Sequence, residues 1–543
     1  MTPRRIAIAE LGAPLLDGST SSAAPTPTPA AHDAAKTVAL RCAIGCICGM
    51  SLIGCVEPTE AMLRTGVACN YTASGPRDSP GWSGSALCGD QRIVLKTTQQ
   101  AIGDLNMLEM LAHLAGGPAV AVVADAIGRT QAIAISIVLQ TVAKWFIFSA
   151  VALAALASPT SGGGDGAATI RMPMGLLIAS KVFSGLCSIT VPANAMIGDL
   201  TPAGSAGHAF TKLSLVQAAA AFLGHCAQLG VLRLYLSNYS AIALCLAILT
   251  PLPAIPLLLL RRPQKRLQQA SQDGVAGPNP SAQDAAACGS SINAVGCDCS
   301  VDGGERRRGR GLGGLAADFV SHASAPLQLL TREPRLVQAC AGTFLLCTGA
   351  MGGAGLMAPL TLTLGWRQGD LNLLQMITLV PSSLAALAFA HAVLFARAGA
   401  AFTLVLALLA FLSMALAFRA VPVLGTPAVA LGLLSLGGAT VGYPALLAVL
   451  TETAPSDDLA KAQACISFTA TIAHAVAAPT FARLFDPTTI ESAARPFDLA
   501  CVLISAGLVI LLPQLLPLVR DQWEAKAREA QAGGQGTGGA SGA

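Results

Sequence analysis

Glu109 and His113 stand four residues apart inside a run built mainly of Ala, Leu, Met and Gly, a spacing that puts both on one face of a helix. A carboxylate beside an imidazole can hold a proton near neutral pH, so the pair reads either as a proton-coupling element or as a structural contact inside a helix bundle. Asp104 and Asn106 precede them on the same stretch, with Asp104 read as solvated near a membrane surface. Two lone cations, Lys144 and Lys181, lie in the next apolar runs. One of them is expected to attract an anionic solute or to pair with Glu109; Lys181 has the alternative of snorkelling to an interface. His225, His391 and His474 are single polar residues in apolar runs and read as satisfied helix contacts. No nucleophile–base pair, HExxH, paired CxxC or Walker-type phosphate loop occurs where it would serve chemistry. Neither enzymatic activity, nor ATP-driven pumping, nor a cofactor is expected. Cys288, Cys297 and Cys299 lack a fourth ligand nearby and read as free thiols rather than a metal site.

The elements that must carry these residues are membrane spans. The chain has 543 residues, 53% hydrophobic and only 11% charged, against about 25% charged in a soluble domain. A hydrocarbon core of about 30 Å needs roughly 20 apolar residues of helix. Arg335 to Arg367, Asp370 to Arg397, Arg397 to Arg419 and Arg419 to Glu452 each enclose such a run without one charge. The runs are continuous rather than alternating, which excludes a β-barrel. Spans are expected at 38–60, 101–124, 130–155, 174–198, 211–231 and 240–260, then at 336–362, 371–396, 400–420, 424–451, 462–483 and 498–519. The expected fold is an all-α polytopic membrane protein of about twelve transmembrane helices in two six-helix bundles. The bundles occupy 38–260 and 336–520, between an N-terminal tail over 1–37, a basic linker over 261–335 and a C-terminal tail over 521–543. The tail over 1–37 and the linker are too poor in apolar residues to order themselves and are expected to be disordered. The small net charge of +4 gives no case for a nucleic-acid partner.

Basic residues favour the cytoplasmic side. The linker carries Arg261-Arg262, Lys265-Arg266 and the run Arg306 to Arg310, so it and both termini are expected inside, in a plasma or an internal membrane. The two N-glycosylation sequons, at Asn70 and Asn238, then both fall outside. Cys69 and Cys88 flank the first outer loop and read either as a disulfide in an oxidising lumen or as two thiols.

Between the second and third spans the chain reads Asp125-Ala-Ile-Gly128-Arg129-Thr130, which resembles the turn signature of the major facilitator superfamily. Asp125, Gly128 and Arg129 fit that signature; Ala121, Ala126 and Thr130 stand where a Gly and two basic residues are usual. Gly128 permits a tight turn, and Asp125 can face the positive N-terminus of a neighbouring helix, so the three are expected to latch one conformation. An internal repeat supports the resemblance. Asp199-Leu-Thr-Pro leads through His208 into one span, and Glu452-Thr-Ala-Pro leads through Lys461 into another, at the same offset for acid, proline and base. Such repeats mark duplicated transporters. These segments are loosely similar to the branch of tetracycline–proton antiporters and proton-coupled folate and haem carriers. The resemblance implies a monomeric secondary transporter that moves a small solute, anionic or otherwise, by alternating access in a lipid bilayer, with protons as the coupling ion. The alternative is a transporter-like receptor or sensor without net transport.

Overall fold

The computed structural model describes residues 29–56, 91–156, 173–187, 189, 192–193, 196, 206–234, 239–257, 324, 328–366, 368–453 and 459–535. The expectations at Asn70, Asn238, Cys69, Cys88 and Asp199, and at the three linker cysteines, lie outside these residues.

All regular structure among the described residues is helical. The first six rods are α1 (Pro29–Val56), α2 (Gln91–Ile127), α3 (Arg129–Leu156), α4 (Met174–Leu186), α5 (Ala206–Leu234) and α6 (Tyr239–Leu249). The next is α7 (Pro334–Thr363). α8 covers 368–397, in which two π-turns, Gln375–Leu379 and Ala390–Leu394, interrupt the α-helix. Then come α9 (Ala400–Arg419), α10 (Thr426–Ala439 continued by Gly442–Thr453), α11 (Leu459–Leu484) and α12 (Pro496–Gln535). Eight helices among the described residues are long and apolar enough to cross a membrane, and four more apolar helices are shorter. This is an all-α, multi-pass membrane protein.

Several boundaries differ from those the hydropathy suggests. α1 starts at Pro29, ahead of 38, because proline suits the first turn of a helix, where its missing N–H is not needed. α2 begins at Gln91 and α12 continues to Gln535; charged residues such as Lys96, Arg520 and Glu524 end the apolar run but not the helix. α4 stops at Leu186, well short of 198. Cys187 leaves the helix in extended backbone (φ −99°, ψ 105°), and helical backbone is described again at Pro192, Ala193 and Met196. Within α8, Pro381 cannot donate to the carbonyl four residues back and its ring crowds that oxygen. The preceding turn widens accordingly, and the Val380 N–H reaches the Gln375 carbonyl.

The cores follow the chain order. The larger one joins α7 to α12 and buries Phe418, Phe481, Phe485 and Phe497 completely; the rings of Phe418 and Phe497 lie 5.3 Å apart. In the first half, Ile102, Leu105, Ile147, Val151 and Leu177 form one cluster, and Ile47, Ile133, Ile137, Phe210 and Leu213 another. Large apolar residues that remain exposed, such as Val502, Val509 and Leu516 on one face of α12, form stripes suited to lipid. The two halves meet along α2 with α11 and along α5 with α8 and α10. Leu447 of α10 is buried in the first half's cluster.

Candidate functional site

The α2–α4 contact positions the central polar group. These helices run parallel and touch through glycines. A Cβ on Gly116 would stand 2.7 Å from Leu186 Cα, and one on Gly185 would collide with the Glu109 carbonyl oxygen. Small residues at such a contact let backbones approach in a membrane, where packing rather than hydrophobicity drives association. The approach brings Lys181 Nζ to 2.7 Å from Glu109 Oε2, both side chains being about one-fifth exposed (19% and 20%). Ser184 Oγ donates to Glu109 Oε1 at 2.6 Å. Lys181 and Ser184 are three apart on α4, hence on one face. The carboxylate is therefore held at both oxygens.

α3 supports the arrangement from behind. Gln140 Nε2 donates to the Ser184 carbonyl at 3.2 Å, fixing the turn that carries both partners of Glu109. Lys144 lies one turn further along α3 and is buried, at 8% exposure. The rings of Phe146 and Phe183 pack 5.4 Å apart between α3 and α4.

His113 shares a helical face with Glu109, but its Nδ1 meets the Gly185 carbonyl at 3.2 Å. A carbonyl only accepts, so Nδ1 carries the proton in this contact. Glu109 thus takes its partners from α4 rather than from the imidazole on its own helix.

Beyond this group, the halves are tied at the end of α2 remote from Gly128. Asp104 meets Arg483 of α11 at 3.4 Å, and Gln99 Nε2 donates to the Gly355 carbonyl of α7 at 3.3 Å. A Cβ on Gly103 would stand 2.8 Å from the Ala478 oxygen and from Ala482 Cβ. His474 of α11 is half-buried, and after that burial the charges of Glu109 and Lys181 are what bear on its proton. Sequence reasoning missed Ser184, Gln140 and the setting of His474. The Lys181-x-x-Ser184 spacing was a usable signal for the first; the others need the helix rotations.

At the other end of α2, Gly128 takes φ +98°, and its N–H donates to the Ala124 carbonyl at 2.9 Å. Arg129 opens α3 and is half-buried. Asp125 lies in the last turn of α2, Glu452 in α10 and Lys461 in α11; their side chains lie outside the described residues. A second turn of the same kind joins α8 to α9 at Gly399, with φ +87°. Among the described residues no group of three or more His, Cys, Asp or Glu could hold a metal ion.

Residues 66–478 match the family described as Major Facilitator Superfamily. No curated protein matches the sequence. Three solved structures show the fold. The xylose transporter XylE from E. coli, in a partially occluded inward-open conformation, aligns with a TM-score of 0.55 at 13% identity, covering 88% of this chain and 96% of that one. The human organic anion transporter MFSD10 aligns at 0.53 and 15% identity, over 88% and 98%. The nucleoside transporter NupG, as its D323A mutant, aligns at 0.53 and 11% identity, over 87% and 99%. With the family matched over residues 66–478 and the fold shared over most of the chain with solved transporters, this chain belongs to the major facilitator superfamily of membrane transporters.

Proposed function

We propose that this transporter is a secondary carrier that moves a small anionic solute by alternating access, with protons as the coupling ion. The observation that carries the reading is the Glu109–Lys181–Ser184 group at the α2–α4 contact. Charge placed inside a span costs about 2.5–3.5 kcal/mol even on permissive scales, and such residues by default mark solute or proton pathways. Lys144 and Lys181 lie on adjacent helices and supply positive charge for an anionic group. Glu109 is the acid that neutralises Lys181 when solute is absent. Either a proton on Glu109 or a solute anion at Lys181 would open the pair.

In the same reading Asp125, Gly128 and Arg129 latch the cytoplasmic end, and both termini with the 261–335 linker face the cytoplasm. The segments 38–260 and 336–520 move as the two rocking bundles, and the repeat-related Asp199, Glu452 and Lys461 mark corresponding connections in the two. Asn70 and Asn238 are then outer glycosylation sites, Cys69 and Cys88 an outer disulfide, and the working unit is a monomer.

The test is reconstitution of the full chain in liposomes, with counterflow of D-xylose, uridine and an aromatic carboxylate measured with and without a pH gradient. Carboxylate counterflow quickened by the gradient is expected. Absence of counterflow for all three removes the carrier reading. Undiminished gradient-driven uptake in both Glu109→Gln and Lys144→Ala proteins removes the site.

A further inference from the structure

We propose that His474 is the proton-binding residue that the C-terminal half contributes to the Glu109–Lys181 centre. The proposal rests on the carrier reading above and deepens its coupling step.

The placement comes from the register of two antiparallel helices. α2 runs from Asp104, which pairs with Arg483, towards Glu109, while α11 runs back from Arg483 towards His474. Gly103 packs into the turn between Ala478 and Ala482. The step along α2 from Gly103 to Glu109 is matched by the step back along α11 from that turn to His474. Glu109 and His474 therefore stand at one level on facing helices. The electrostatics agree: burial weighs most on the imidazole, and among the described residues the charges that bear on it are Glu109 of α2 and Lys181 of α4.

The other ionisable groups on helices packed against α11 lie elsewhere. On α2, His113 is occupied at Gly185 and Asp104 at Arg483, while Arg92 and Lys96 lie near the start of the helix and Asp125 in its last turn. α7 has Arg335 at its start, with Cys340 and Cys347 as thiols; α10 has Tyr443 and, at its end, Glu452. α11 itself has Lys461 and Arg483 near its two ends. Among the described residues of these helices, Glu109 is the carboxylate that this register brings to the level of His474.

Geometry makes the consequence specific. With His474 neutral, Glu109 has one cationic partner, Lys181, which belongs to its own half. A proton passed from hydronium in the adjoining water onto a ring nitrogen of His474 forms an N–H bond as an O–H bond breaks, leaves water behind, and makes a second cation on the opposite half. The carboxylate is then shared across the α2–α11 interface, and its hold on Lys181 weakens. Loss of that proton to water returns Glu109 to Lys181. The proton thereby changes a contact within one half into a contact between halves, which is what coupling to a rocking motion requires.

The experiment uses the proton itself as probe, on purified full-length protein in lipid nanodiscs. Ring resonances of the seven histidines are followed against pH by NMR, and His474 is assigned by its loss in His474→Gln. Removing the carboxylate with Glu109→Gln is expected to loosen the His474 proton, and removing the ammonium with Lys181→Met to tighten it. Each effect should be at least about threefold in proton concentration at the midpoint, given charge–charge coupling in a partly buried site. Lys181→Arg, which keeps the charge, should restore the wild-type midpoint. A role for Lys181 in packing alone would make the Arg and Met variants alike. The proposal is overturned if neither Glu109→Gln nor Lys181→Met moves the midpoint, if both move it the same way, or if His474 does not titrate. Because no solute enters this measurement, a failure here is separate from a failure of the counterflow panel.

Discussion

Glu109 accepts from Lys181 and from Ser184, so each carboxylate oxygen has one partner supplied by α4. The energetic weight of such a pair lies in what remains when one member goes. Removing one partner of a buried ion pair costs about 3–5 kcal/mol, because the other charge is left uncompensated; one-fifth exposure puts this pair near the low end. Glu109→Gln is therefore expected to lower stability by about 3 kcal/mol, read by thermal unfolding of the purified protein. Adding Lys181→Met to that variant should recover part of the loss, since the stranded ammonium disappears with it. A double-mutant coupling below about 0.5 kcal/mol would show that the two residues act independently. At this scale, the residue types were legible and the partnerships were not. An acid and two bases in apolar runs stand out in any linear reading, and pairing with Glu109 was one of the roles open to the lysines, beside attracting an anion and, for Lys181, snorkelling. Which lysine pairs depends on how far α4 is rotated about its axis, and that rotation is set by the fit of Gly185 and Gly116 against α2. His474 read as a lone polar residue because its setting depends on the α2–α11 register, which joins segments more than half the chain apart.

The helices show where lipid-based reasoning stops. Apolar runs report how long a segment stays in hydrocarbon, but a helix continues in water as long as its own hydrogen bonds and neighbours support it. That is why α2 and α12 overshoot their runs, while α4, which leaves helical backbone at Cys187, undershoots. The turn at Gly128 was legible because a positive φ leaves few residue choices; its counterpart at Gly399 has Arg397 beside it but neither the acid nor the following base of the first. Two predictions belong here. Gly185→Val should separate α4 from α2 and lower the unfolding temperature, whereas Gly175→Val on the same helix, where nothing lies within 4 Å, should leave it nearly unchanged. Equal effects would mean that α4 responds to β-branched residues rather than to the contact. Secondly, Gln522 of α12 accepts the Ala401 N–H at 3.1 Å and so caps the first turn of α9. Its replacement by Ala should cost about 1 kcal/mol and speed hydrogen exchange at Ala401, with little change in α10.

In the whole molecule, two of the polar contacts between the halves among the described residues, Asp104–Arg483 and Gln99–Gly355, sit in the same part of α2. Asp104 and Arg483 are half to two-thirds exposed (50% and 67%), so their ion pair is screened and adds little to the stability of the fold. Small energies still matter for a carrier, because its two conformations need to be close in free energy, and about 1.4 kcal/mol shifts their ratio tenfold. Arg419 and Asp498 provide an internal comparison. They pair at 2.5 Å between α9 and α12, also near the surface but within a single half. If transport is a rocking of one half against the other, a bridge at Asp104–Arg483 must block it and a bridge at Arg419–Asp498 must not. The measurement places cysteines at either pair in a cysteine-free background that still transports, and joins them with a bifunctional methanethiosulfonate about as long as the ion pair. Counterflow of the solute identified by the panel should stop for the 104/483 bridge, return on reduction, and continue throughout for the 419/498 bridge. Continued counterflow through the bridged 104/483 protein would mean that α2 and α11 do not part at this end during the cycle, and the alternating-access reading of these halves would fall.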